Sequence, residues 1–356
     1  MTTVLCIGDP HFQVTNIPEV DLFITRLIEV MSENLPDICV VLGDLLHTHE
    51  RLHTTALNKA YEFIDRLRKL VPTYVLVGNH DMLNNQVFLN DNHWMNGLKE
   101  WENVTIVDRV LSRVINSEQF VFVPYVPPGR FIEALNTCVE DWKDCDCIFA
   151  HQEFAGCKMG AIVSIEGDKW PEDYPHVVSG HIHSRQIIQR NIYYTGASMQ
   201  HAFGESEKNI IAYLTVKDKE YERKEVDLEL PRKKIVYMDV EDIDSYEPPN
   251  TKDKLKVTLS GNYDQFKALK KTKKYKQLLE TGIKVVFKPK KLKRTKKTVD
   301  EDGKQIEVKD DMEHTGSDFN TILNTIINEQ KNPYLYKAYE LVVNGKEMNL
   351  DDIMFL

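Results

Sequence analysis

Val4-Leu5-Cys6-Ile7-Gly8-Asp9-Pro10-His11 decides how this chain folds. Four apolar residues stop at a glycine and give way to an aspartate and a histidine two positions apart. The same grammar returns four times. Run 38–42 leads into Gly43-Asp44-Leu45-Leu46-His47 and run 74–77 into Gly78-Asn79-His80-Asp81. Run 147–149 leads into Ala150-His151-Gln152, and Val177-Val178 into Gly180-His181-Ile182-His183. Apolar runs this short, bounded by glycine and followed by helical periodicity, read as buried strands of an α/β sheet. Ligands of such sheets gather beyond the carboxyl ends of the strands. If the five strands share one sheet, the five clusters meet on one rim as a metal site.

The donor chemistry points to two ions. Asp9, His11, Asp44, Asn79, His151, His181 and His183 offer oxygen and imidazole donors and no thiolate, a mix suited to Mn²⁺, Fe²⁺ or Zn²⁺ and unlike a closed cysteine-rich zinc site. This set is too large for one tetrahedral ion. With one bridging carboxylate it suits a pair about 3.5–4 Å apart, the spacing that clamps both oxygens of an in-line phosphoryl displacement. Any single cluster could as well cap a helix or complete a turn. Five in register with strand ends point to convergence.

In this order, D-x-H, GD, GNHD, a lone H and GHxH resemble the calcineurin-like metallophosphoesterase superfamily over residues 3–216. The resemblance implies an α/β two-sheet sandwich flanked by helices and two divalent cations, Mn²⁺ foremost with Fe²⁺ or Zn²⁺ as alternatives. It implies Asp9, His11, Asp44 and His183 around one ion, and Asn79, His151 and His181 with a bridging Asp44 around the other. His80 would face the phosphate, stabilise its charge and help protonate the leaving oxygen, with Asp81 as its orienting partner. A hydroxide on the metals would be the nucleophile.

Smaller features bear on the branch. Protein phosphatases of this class carry an Asp-Arg pair after the second motif, where this chain has Gly43-Asp44-Leu45-Leu46-His47. That form resembles the SbcD-type nucleases of double-strand-break repair, and it implies His47 as a second non-metal histidine near the scissile phosphate. Residues 194–205 resemble the GS…F-x-E segment of that branch, with Ala197 inserted between glycine and serine. The chain also resembles phosphoesterases of large DNA viruses, whose substrate the resemblance does not supply. His49 and His53 read as exposed residues opening a helix over 54–70. His93, Trp94 and Trp101 read as an amphipathic helix burying its aromatics. His201 stays ambiguous.

The 356 residues suffice for two domains, read as 1–230 and 231–356. No run has the length of a membrane span, and a strand starting at residue 3 leaves no room for a signal peptide. The six cysteines form no C-x-x-C and read as reduced thiols, so an intracellular location, cytoplasmic or nuclear, is expected. The net charge of −10 conceals a segregation: residues 267–297 hold fourteen Lys or Arg and a single acid, Glu280. After the strand 210–216, the first domain reads as closing in a charged tail through Leu230. The second domain reads as strand (235–240), strand (255–259), helix (263–280) and strand (283–287), a small α/β capping-like unit with helical patterns at 318–329 and 334–343. On its helix Phe266, Leu269, Tyr275, Leu278 and Leu279 make an apolar face, and Lys267, Lys270, Lys271, Lys273, Lys274 and Lys276 cover the remainder. Lys290, Lys291, Lys293 and Arg294 follow.

A charge run is most often a solvated face. Density this high favours a polyanion surface, the footprint of sequence-independent DNA binding. The string 288–297 also reads as a nuclear localisation signal. The nuclease resemblance implies a coiled-coil ATPase subunit as partner and pairing into a homodimer through helices near 22–35 or 57–70. Three functions stay open: a DNA nuclease, a phosphoesterase acting on a small molecule or phosphoprotein, and a non-catalytic scaffold. Intact ligands weigh against the last.

Overall fold

The computed structural model describes residues 1–49, 51–289, 296–299 and 305–308, with Leu323, Ile327, Leu335 and Tyr339. Lys290, Lys291, Lys293 and Arg294 lie outside the described residues, as does nearly all of the two C-terminal helical patterns. The chain divides into two compact units, Met1–Pro289 and Lys290–Leu356.

Two six-stranded sheets build the core of the first unit. In one, β1 (Thr2–Ile7), β2 (Ile38–Val41), β3 (Thr73–Leu76) and β4 (Val104–Val107) run parallel. Antiparallel β13 (Ile211–Lys217) and β14 (Glu220–Val226) complete it beside β1. In the other, β6 (Glu118–Val123), β7 (Cys147–Ala150), β10 (Val177–Ser179) and β12 (Ile192–Tyr194) run parallel. Its antiparallel edges are β5 (Leu111–Ile115) and β11 (Gln186–Gln189). A short hairpin, β8 (Lys158–Met159) and β9 (Ile162–Val163), lies between β7 and β10 in sequence.

The period of two along each strand assigns its two faces to different partners. Val4 and Cys6 join Val40, Leu76, Phe120, Phe149 and Tyr193 in the layer between the sheets. There Tyr74 stacks on Phe122 with ring centroids 4.3 Å apart. Leu5 and Ile7 face outward against α1 (Ile17–Glu33) and α2 (Thr54–Arg68). Val20, Phe23, Ile24, Leu27 and Met31 fall on one face of α1, as helical periodicity requires. Phe12 packs edge to face against Phe23 of α1 and Phe63 of α2. Burying each contributes about 1.5–3 kcal/mol. The helices near 22–35 and 57–70 therefore turn their apolar faces onto the first sheet. On the second sheet's outer face, α3 (Phe131–Leu135), Trp142 and Trp170 close the fourth layer.

Three local expectations change. In place of a charged tail, the residues after 217 form edge strand β14, whose charged side chains guard an open edge. Residues 94–100 form a 3-10 helix rather than an amphipathic α-helix; it buries Met95 and Leu98 and leaves Trp94 half-buried. The lysine helix is two, α4 (Tyr263–Leu269) and α5 (Lys273–Glu280), because Thr272 caps a new helix by accepting from Tyr275 N. That break turns Leu279 out, to 46% exposure, while Phe266, Leu269 and Leu278 stay buried. These helices cover a parallel sheet of β15 (Lys233–Asp239), β16 (Lys254–Gly261) and β17 (Lys284–Pro289).

Candidate metal centre

Every one of the five clusters leaves a strand at its carboxyl end, but the strands belong to two sheets. β1, β2 and β3 deliver Asp9, His11, Asp44, Asn79 and His80, while β7 and β10 of the facing sheet deliver His151, His181 and His183. The rim is therefore shared by a sandwich, not drawn from a single sheet. The layer between the sheets holds their two carboxyl edges side by side.

The local backbone is bent to serve that rim. Asp9, His11, Asp44 and His181 all have positive φ, at 39°, 45°, 50° and 74°. For non-glycine residues this region costs about 1–2 kcal/mol each, the kind of strain that clusters at functional sites. The glycines before them make room. A Cβ on Gly43 would sit 2.4 Å from His151 Nδ1, and one on Gly78 2.2 Å from Asp44 Oδ1.

The seven candidate donors converge. His151 Nδ1 lies 2.6 Å from the Leu42 carbonyl, which fixes the proton there and aims the Nε2 lone pair inward. That Nε2 is 3.0 Å from Asn79 Oδ1 and 3.4 Å from Asp44 Oδ2. His181 Nδ1 is 2.9 Å from the same Asn79 oxygen. On the other side, His11 Nε2 lies 3.6 Å from Asp44 Oδ2 and 3.0 Å from His183 Nε2. Asp44 Oδ2 thus stands between two groups, one of Asn79, His151 and His181 and one of Asp9, His11 and His183. Two clusters able to hold an ion, Asp9-His11-His183 and Asp44-His151-His181, fall within this arrangement.

Its electrostatics call for positive charge. Burial pushes the Asp9 carboxyl up to about 6 against the pull of His151 and His183, and its Oδ2 has no donor. Burial also works to raise Asp44, yet His151 and then His11 hold it well below the carboxylate range. His151, opposed by burial, is raised to about 9 by Asp44 and Asp9. Nitrogen and oxygen donors face one another here, and two divalent cations, in place of the proton that Asp44 and Asp9 hold on His151, fit that donor set.

His80 stands at the edge of this cluster. Its backbone N–H donates to Asp44 Oδ1 at 2.8 Å, and its ring Nδ1 lies 2.7 Å from the His47 carbonyl, leaving Nε2 free. The orienting group is therefore the His47 carbonyl and not Asp81. Buried Asp81 instead accepts from Gly78, Leu45 and Leu46 N–H and from Trp94 Nε1, tying the second and third motifs together. The His47 ring is 5.3 Å from His11 and stacks on His80 at 5.8 Å. His49 also stacks on His80, at 4.5 Å, so it belongs to the site rather than to an exposed helix start. His53 alone serves as the cap of α2, accepting from Thr55 N. His201, ambiguous in sequence, packs between His11 and His183 at 4.8 and 5.3 Å and donates from Nε2 to the Asp9 carbonyl.

The model of the family described as "Calcineurin-like phosphoesterase" matches residues 2–214. "Putative phosphoesterase 078R" of Invertebrate iridescent virus 3 is 54% identical over 291 residues, 80% of this chain and 84% of that protein. "Putative phosphoesterase 244L" of Invertebrate iridescent virus 6 is 51% identical over 277 residues, 76% and 98% of the two chains. Among solved structures, an archaeal phosphodiesterase overlays with a TM-score of 0.34 at 15% identity, covering 63% of this chain and 99% of that one. With the strand-end motifs, the two-sheet sandwich and the family match all falling on the same residues, the chain belongs to the calcineurin-like phosphoesterase family.

Proposed function

We propose that this phosphoesterase is a two-metal nuclease that hydrolyses phosphodiesters in DNA. The observation that carries the hydrolytic part is the convergence of seven metal-type donors beside a histidine with one free ring nitrogen. Asp9, His11, Asp44 and His183 would hold one cation, and Asn79, His151, His181 and the shared Asp44 the other. The pair would supply Lewis acidity and an activated water at neutral pH. His80, whose Nδ1–H donates to the His47 carbonyl, presents Nε2 to a phosphate at that rim. Burial lowers its pKa, so it donates a proton to the leaving oxygen only from its protonated form, which the phosphate's negative charge would favour. His47 and His49 flank its ring and fix its plane.

Two features favour DNA over a small substrate. The Gly43-Asp44-Leu45-Leu46-His47 motif resembles the nuclease branch, and its His47 supplies the carbonyl that orients His80. Lys267, Lys270, Lys271, Lys273 and Lys276 are exposed on α4 and α5 and around the turn between them, whereas Lys274 is tied to Glu247 at 2.6 Å. Among the described residues, no helix is long and apolar enough to cross a membrane.

End-labelled single- and double-stranded DNA incubated with the protein and Mn²⁺ tests the reading. Metal-dependent cleavage supports it. Hydrolysis of a small phosphodiester or phosphomonoester with no cleavage of DNA rejects the nuclease while keeping the phosphoesterase. The lysine face makes a separate prediction. Replacing Lys267, Lys270, Lys271 and Lys273 together by Glu is expected to spare hydrolysis of a small diester and weaken DNA cleavage. The salt slope should flatten too, by about 0.7–0.9 for every phosphate the protein no longer neutralises. DNA cleavage that survives at 0.15 M salt excludes this face as the DNA-binding surface.

A further inference from the structure

We propose that Glu205 is a positioning residue for His183, holding its ring for a cation from the side away from the centre. This rests on the two-cation reading above. His183 Nε2 faces His11 Nε2 at 3.0 Å and is the nitrogen turned toward the centre. Its Nδ1 points away, 3.5 Å from Glu205 Oε1. The second oxygen, Oε2, accepts from His201 N at 2.8 Å and Ala202 N at 2.9 Å, so both carboxylate oxygens are committed. A histidine that binds metal through one nitrogen gains a fixed tautomer and a more basic lone pair when a carboxylate takes the other N–H.

The loop carrying Glu205 is itself pinned through its first two residues, Gln200 and His201. His201 Nε2 donates to the carbonyl of Asp9, another candidate ligand, at 2.9 Å. Gln200 Oε1 accepts from Lys233 N at 2.6 Å and its Nε2 donates to Lys233 O at 3.2 Å. Lys233 Nζ in turn donates to the Gln200 and His201 carbonyls at 2.6 and 2.8 Å. Lys233 is the first residue of β15, so the small sheet braces the loop that braces His183. A carboxylate needed only as a loop cap would use the two backbone N–H groups. The approach to His183 is the part that a cap does not explain.

Glutamine separates the two roles, because it has one acceptor oxygen where glutamate has two. E205Q can cap the loop or hold His183, not both. The experiment is a Mn²⁺ titration of metal-free protein by calorimetry or by EPR of free Mn²⁺, on wild type, E205Q, H183A and the double variant, with a melting curve of each metal-free protein. Wild type is expected to take up two ions. In E205Q one of them should bind about 10–100-fold more weakly, with the melting temperature little changed. In the H183A background E205Q should add no further loss, which keeps the test valid even if E205Q lowers the melting temperature. Two ions bound by E205Q with wild-type affinity overturn the proposal. So does an equal loss on adding E205Q to H183A, since the effect then does not pass through His183. Wild type that binds no Mn²⁺, Fe²⁺ or Zn²⁺ fails at the two-cation reading itself, a result distinct from both.

Discussion

Asp44→Ala is expected to empty the centre of metal and take hydrolysis to background, a loss greater than about 10³-fold, because even one charge-stabilising donor is worth about 10²–10³. Its Oδ2 lies 3.4 Å from His151 Nε2 and 3.6 Å from His11 Nε2, in reach of both donor groups. Removing any other donor touches one group; removing this one touches both. Asp44→Asn sharpens the test, since it keeps the shape and the Oδ1 acceptor for His80 N–H while deleting the charge. Metal content by atomic emission, read beside hydrolysis of a small diester, checks the prediction. Both variants retaining two ions and full activity would place the bridge elsewhere. The fold should survive, because Asp44 lies past the end of β2 and outside the apolar clusters that hold the sheets.

The candidate centre was legible in the sequence because each donor sits at a fixed place just past a short apolar run, and all but His151 and His183 are also beside a glycine or proline. That placement follows from local chemistry, so Asp9, His11, Asp44, Asn79, His151, His181 and His183 could all be named. How the strands are partnered is not local. A run such as Cys147-Ile148-Phe149 says buried strand but does not say which sheet, and the single rim became the shared edge of two. The roles of Asp81 and His49 were hidden for the same reason. Asp81 owes its place to N–H donors from Leu45 and Leu46, far away in sequence, and His49 to a ring that reaches it from the end of β3. Edge strand β14 escaped because Glu220-Tyr221-Glu222-Arg223 alternates charged and half-buried residues too weakly to outweigh its charge. The break between α4 and α5 was signalled by Thr272, a strong cap, but the lysines on either side read as one continuous polar face.

His80→Asn carries the second large effect, and it should look different from the first. Asparagine keeps the backbone N–H that donates to Asp44 Oδ1, so both ions are expected to stay. It loses the ring whose Nδ1 meets the His47 carbonyl and whose Nε2 is left for substrate. Turnover should fall by about 10²–10⁴-fold, the range for a general acid or a charge stabiliser. Those two roles separate by leaving group. A p-nitrophenyl ester departs as a stable phenolate and needs little proton help, whereas a nucleoside alkoxide needs it fully. If His80 is the acid, the variant should lose far more on a dinucleotide or DNA than on the p-nitrophenyl ester. Equal losses on both would make His80 a stabiliser of phosphate charge and would pass the proton to another group at the rim. Loss of metal along with activity would reduce it to a prop for Asp44. The lever that decides among these outcomes is that Asp44 holds the backbone of His80 and His47 holds its ring, so the side chain can be changed while the candidate metal ligand is left in place.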